Sequence, residues 1–373
     1  MNKSKKYTII GLLLILVLIG FVWLLGNTYK KESDTQNNTS EFDSISGGID
    51  WSAFPTNELV LSNQGVLITT EGTYVLKGTS TGQVLVDTDG YVRLILNDIT
   101  INSDTGAAIQ IDSAEKVVIE LADGTINTIS DASTRVDDEI DGAIYSSDDL
   151  VFTGNGTLNL TSNFQDAIVG KDDLWIESGG INITSVDDGI RGKDSLNISG
   201  GIITIDALGD GIKSSNDTDL GKGELNISGG EITISFGDDA IKAEQKVWIT
   251  GGIIDVITSV EGIEAPVIII DGGDINIFAT DDGINASASS IITSGLGITI
   301  NGGNVTVEVG PGDTDALDSN GDLTITGGTI TLIAQSAIDF DGIGTFTGGI
   351  LIVNGEKLDQ LPAQMMGPGG PRN

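Results

Sequence analysis

The chain has 373 residues, with 54 acids against 18 bases and a formal charge of −36. That charge argues against nucleic acid or an anionic membrane surface as a partner, and suits a surface that meets cations or neutral ligands. There is no histidine and no cysteine, which removes the commonest general base, nitrogen- and sulfur-ligated metal sites, disulfides and thiol chemistry.

At the N-terminus Lys3, Lys5 and Lys6 precede an uncharged run over residues 7–29, apolar from 9 to 25. That run approaches the roughly 20 residues a bilayer requires, and no clear small-x-small cleavage site follows it. Residues 1–30 are therefore predicted to be an uncleaved signal-anchor, a transmembrane helix with its lysines in the cytoplasm and the body on the extracellular face. Cleavage and secretion is the alternative. A lipoprotein anchor needs a cysteine. Residues 31–55 are polar and read as a flexible linker.

The body repeats. Taking Ile190 of "SVDDGIRGKDSLNISGG" as a marker, equivalent positions are Ile168, Ile190, Ile212, Ile241, Ile263, Ile284, Leu317 and Ile338, mostly 21 or 22 residues apart. Earlier copies stand at Ile144 and, more weakly, Ile109. Two longer steps contain polar insertions, "NDTDLGKGE" and the "GPGD" at Gly310. Each unit carries an alternating strand, a double glycine, a second alternating strand and an acidic segment ending at the marker. Isoleucine, valine and threonine at period two mean strands with one face inward. Three short strands in about 22 residues, with no helical period, predict one coil of a parallel β-helix. The fold expected is an all-β, right-handed parallel β-helix solenoid of about ten coils over residues 56–357, the hand following the usual crossover rule. A flexible tail is expected over 358–373, and a less regular cap with the first coils over 58–118.

In a solenoid a repeated position becomes a column. The acids before the marker are Asp166, Asp187, Asp188, Asp210, Asp238, Asp239, Glu261, Asp281, Asp282 and Asp315. Carboxylates stacked about 4.8 Å apart repel one another. Either they are solvated turn residues, since Asp-Gly is a favoured turn pair, or cations lie between them, and hard oxygen ligands suit calcium. The metal candidates are Asp187, Asp188, Asp210, Asp238, Asp239, Glu261, Asp281 and Asp282. The residue after the marker is basic in three successive coils, Arg191, Lys213 and Lys242, and then acidic or neutral. Lys171 and Lys193 lie nearby. These bases either neutralise the acids or line a groove for sugar carboxylates and hydroxyls. On the second view they stand apart from the core, and their removal should leave the fold intact. Trp175 and Trp248 each sit between apolar residues, so their indoles are expected outward, about 14 Å apart, as platforms for sugar rings unless an insertion near Asp219 covers them.

The segments "GTYVLKGT", "VRLILNDITI", "VVIELADGTINTISD", "AIYSSDDLVFTGNGTLNL" and "AIVGKDDLWIESGGINITSVDDGIRGKDSLNISGGIITIDALGDGIKS" together resemble a bacterial carbohydrate-binding domain family, across about residues 57–355. The resemblance implies a right-handed parallel β-helix similar to that of pectate lyases. It also implies binding of cellulose and of acidic sugars such as polygalacturonate with calcium as cofactor, and a calcium role for the D-D-G-I acids. The function expected is a calcium-dependent polysaccharide-binding protein held at the cell surface through its anchor. One alternative is a calcium-dependent polysaccharide lyase, in which Arg191, Lys193, Lys213 or Lys242 would abstract a proton. Another is a structural rod or adhesin spacer.

Overall fold

The computed structural model describes residues 49–312 and 314–362. The apolar run at residues 9–25 lies outside them. Among the described residues no helix is long and apolar enough to cross a membrane.

The body is all-β, and almost every strand pairing is parallel. Each coil contributes to three ladders. One coil supplies Ser195–Ile198 to the first, Ile202–Ala207 to the second and Ile212–Ser214 to the third. These pair in register with Asp173–Ile176, Gly180–Ser185 and Ile190–Gly192 of the coil before. This is the β-helix solenoid the repeat implies. The third ladder has twelve rungs among the described residues, from Val66–Ile68 to Ser336–Phe340. Ten coils were expected. The difference lies in residues 58–118, where the glycine and acid markers are missing but the period-two apolar pattern still builds complete rungs.

The marker residues form one column. Ile109, Ile144, Ile168, Ile190, Ile212, Ile241, Ile263, Ile284, Leu317 and Ile338 are successive register partners. All but the last are fully buried or nearly so. Burying each such side chain contributes about 1.5–3 kcal/mol, so the stack is a continuous core and not a set of separate ones.

The double glycine serves two separate needs. A Cβ on Gly200 would stand 2.2 Å from the carbonyl oxygen of Glu177 in the preceding coil, and Gly201 has φ +93°. The first position lacks room for a side chain, and the second needs a backbone conformation open mainly to glycine.

The segments flanking the repeat pack against it. Residues 49–54, which composition places in the linker, include a 3-10 helix at Trp51–Ala53, with Trp51 packed near Val118, Val151 and Trp175 on the outside of the first ladder. At the other end Ile350–Val353 pairs antiparallel with Glu356–Leu358. Leu358 and Leu361 pack against the core there, inside the segment expected as a tail.

Candidate functional site

The acids beside the third ladder fall into two classes. Asp188 and Asp239, two residues before their markers, are buried, whereas Asp187 and Asp238 just before them are exposed. Asp281 is likewise exposed and Asp282 half-buried. Alternation along an extended backbone separates the members of each doublet.

The inward acids tie coil to coil. Asp166 Oδ1 accepts the backbone N–H of Asp188 at 3.1 Å. Asp188 Oδ1 accepts that of Asp210 at 2.8 Å, and Asp210 Oδ1 that of Asp239 at 3.1 Å. The pattern lapses at Glu261 and returns with Asp282 and Asp315, at 2.8 Å.

The second oxygen of these acids meets the basic column. Arg191 Nε donates to Asp166 Oδ2 at 2.6 Å, and its other nitrogen reaches Asp141. Lys213 lies 2.7 Å from Asp210 and 3.4 Å from Asp188. Lys242 bridges Asp239 and Glu264. Lys171 pairs with Asp141 at 3.2 Å. Lys193 makes no ion pair among the described residues and stays half-buried. The bases are therefore partners of buried carboxylates. Lys213 and Lys242 were expected to stand apart from the core, and their ion pairs mean that removing either should also cost some stability.

Protonation follows from this packing. Burial drives the Asp166 carboxyl up to about 7 despite the pull of Arg191. Burial also raises Asp188, against Lys213, and Glu261 goes to about 7 through burial and the neighbouring Glu264. Burial by itself would lower Arg191, Lys213 and Lys242, but Asp166 and Asp141, Asp188 and Asp210, and Asp239 and Glu264 respectively raise all three. Further along, the basic column ends. Asn285, Asp318 and Asp339 occupy its place in register. Burial pushes Asp318 up to about 7, and Asp282, Asp315, Asp339 and Asp341 add to the effect.

A groove of about 370 Å³ opens over the middle of this face. Asp141, Gln165, Asp166, Asp187, Asp188, Arg191, Lys213, Ser215, Asp217 and Glu244 line it. On its wall Asp166, Asp187 and Asp188 can bring one carboxylate oxygen each within 4.8 Å of one another. Asp239, Glu261 and Glu264 do the same nearby, and in each trio a base stands against two of the acids, Arg191 against Asp166 and Asp188 and Lys242 against Asp239 and Glu264.

The carbohydrate-binding domain-containing protein family matches residues 62–342, the whole span that carries the groove. The chain belongs to that family. A relative described as a carbohydrate-binding domain-containing protein from Acetivibrio thermocellus is 41% identical over 133 residues. The match covers 34% of this chain and 46% of the relative, so the chain spans about half the length of the curated relative it matches. Among solved structures, a gadolinium derivative described as a polysaccharide lyase-like protein from C. thermocellum is similar, at 32% identity and a TM-score of 0.52. That similarity covers 66% of this chain and 98% of the other.

In this carbohydrate-binding family member the two tryptophans lie on a different ladder from the groove. Trp175, Asn197, Asn226 and Trp248 are consecutive partners along the outside of the first ladder. Asn226 Nδ2 donates to Asn197 Oδ1 at 2.9 Å. Trp175 is half-buried and packs, like Trp51, against Val118 and Val151, and Lys116 stands over its ring. Trp248 donates from Nε1 to Asp271 at 2.8 Å. The insertion instead caps the corner beyond the third ladder, where buried Asn216 accepts the backbone N–H groups of Thr218 and Asp219.

Several contributors were missed in the sequence. Asp141, which receives both Arg191 and Lys171, was visible in the "DGAI" repeat but stands one residue outside the aligned column, since Gly142 is the register partner of Asp166. Asp217 and Glu244 reach the groove from an insertion and a turn, and no periodic signal points to them. Asp149, Asp172 and Asp173 also form a close trio, where burial raises Asp172 to about 6.

Proposed function

We propose that this chain is a calcium-dependent polysaccharide-binding protein of the cell surface, and that its polymer lies in the groove over Asp166, Asp187, Asp188, Arg191 and Lys213. The observation that carries this reading is the charge of the groove. Six acids and two bases line it, so the bases leave most of its carboxylate charge unbalanced. Asp166, Asp187 and Asp188 offer oxygens close enough to share one ion, and calcium accepts such ligands in flexible geometry. Asp187 is exposed and its carboxylate makes no hydrogen bond or ion pair among the described residues, so it is the ligand with most freedom to turn to a cation. A bound calcium would bridge the acidic wall to the carboxylates of a polygalacturonate-like polymer, or to the hydroxyls of cellulose, and so offset the repulsion a −36 chain exerts on an anionic sugar.

Lyase chemistry by these bases is the weaker reading. A base that abstracts a proton works best with its pKa brought down toward the working pH. Arg191, Lys213 and Lys242 are all shifted the other way by the carboxylates they hold. The cell-surface placement rests on the apolar run at residues 9–25, and right-handed winding on the crossover preference of parallel strands.

The test is electrophoresis of the full-length chain through gels containing polygalacturonate or a soluble cellulose derivative, with calcium and with chelator. Retardation that needs calcium is expected. Unchanged mobility in every gel sinks the proposal.

A further inference from the structure

The corner between the second and third ladders carries a row of large apolar side chains that face solvent. Val186, Leu208, Phe236, Ile257 and Val260 come from four successive coils. Their alignment follows from the register. Val186 and Leu208 directly follow the paired residues Ser185 and Ala207. Phe236 follows Ser235, which pairs with Asp206 on one side and Thr258 on the other. Each of the first three also immediately precedes the acidic segment, as Val186-Asp187-Asp188, Leu208-Gly209-Asp210 and Phe236-Gly237-Asp238-Asp239. The row therefore runs beside the acidic column, whose members Asp187 and Asp188 line the groove.

Phe236 stands out within the row. Its backbone has φ +71°, which among the described non-glycine residues only Asp98 and Asn354 share the sign of. Aspartate and asparagine tolerate that region, whereas a bulky aromatic there is an outlier. The register shifts on both sides of Ser235, a bulge that aims the ring away from the sheet. Packing within the chain does not repay the strain, since Phe236 is 65% exposed. Strain kept without internal contacts marks a functional position.

Several adjoining exposed apolar residues rimmed by charge mark a contact surface. A second copy of the chain is a poor occupant, because two bodies of charge −36 repel and the exposed Asp187 and Asp238 flank the row. A sugar polymer fits better. A pyranose has an apolar C–H face and a hydroxyl edge, and the coils repeat about every 4.8 Å, close to the advance of one sugar residue in an extended chain.

We propose that Val186, Leu208, Phe236, Ile257 and Val260 form the ring-stacking edge of the polysaccharide groove, with the polymer running across the coils. Its C–H faces rest on this row, and its hydroxyl edge meets Asp187 and Asp238. This deepens the polysaccharide reading above and depends on it.

The experiment compares the full-length chain with Phe236→Gly and with the double variant Leu208→Ser, Phe236→Gly. Three readouts are taken: retardation in polygalacturonate and cellulose-derivative gels, melting temperature without polymer, and mass in solution. Phe236→Gly should melt at or above the parent temperature, because glycine relieves the positive φ, while its apparent affinity falls about tenfold, and the double variant should fall further. If both variants bind like the parent, the row has no part in binding and the groove proposal stands without it. If the parent itself is retarded by neither polymer, both proposals fail together. If the parent is a dimer that the double variant dissolves, the row is a self-association surface and the ring-stacking edge is wrong.

Discussion

The backbone N–H of Asp210 donates to Oδ1 of Asp188, one coil earlier, at 2.8 Å, while Lys213 lies 3.4 Å from Oδ2 of the same Asp188. One carboxylate thus holds the next coil with one oxygen and a base with the other. Asp210 repeats the arrangement toward Asp239. The acidic column is part of the fold in these coils as well as part of the groove.

Replacing Asp210 by alanine removes the acceptor of the Asp239 N–H and the nearest partner of Lys213. Loss of a buried charged acceptor should cost about 2–4 kcal/mol. Asp210→Asn keeps an oxygen for the N–H and should cost less. Melting temperatures of the two variants check the order.

Removing a base has a related cost. Lys242→Ala leaves Asp239 and Glu264 facing each other without a cation. Its side chain is partly exposed, so water screens some of the effect, and a loss of about 1–3 kcal/mol is expected. A variant as stable as the parent would show that the ion pairs contribute nothing.

Calcium should act through Asp187. At a calcium concentration about 100 times the dissociation constant, binding stabilises by about 2.7 kcal/mol. Asp187→Ala should lose that increment and melt like the parent in chelator, because its carboxylate makes no hydrogen bond or ion pair among the described residues. Thermal melts with calcium and with chelator distinguish loss of binding from loss of fold.

The pH dependence has a definite sign. The Asp318 carboxyl lies at about 7 in the fold against an ordinary 3.8. The folded chain therefore holds this proton more tightly than the unfolded one. Its stabilising contribution is complete below about pH 4 and is lost as pH rises through 7. In chelator the chain should lose stability across that window, by about 1–2 kcal/mol from this partly exposed group. Asp318→Asn should reduce the dependence by that amount, leaving the share of Asp166 and Glu261, and should melt higher at neutral pH.

Trp248→Ala reports on whether the first ladder takes part. The groove belongs to the third ladder, so retardation in polygalacturonate gels should be unchanged. A large loss would move the polymer onto the column of Trp175, Asn197, Asn226 and Trp248.

The repeat by itself determined the coil, because a buried position recurring about every 22 residues can be satisfied only if successive isoleucines such as Ile190 and Ile212 stack. It also determined which residues form columns, since register follows from that stacking. It did not separate Asp187 from Asp188, because which neighbour turns inward depends on the backbone at the corner. Nor could it show that Arg191 reaches Asp141, 50 residues earlier, or that Trp51 and Trp175 pack against the same pair, Val118 and Val151. Those contacts depend on side-chain reach between coils and on a segment outside the repeat. The apolar row that contains the strained Phe236 was hidden for a similar reason. An apolar residue beside a strand reads as core, and only the tertiary structure decides that this one is left outside.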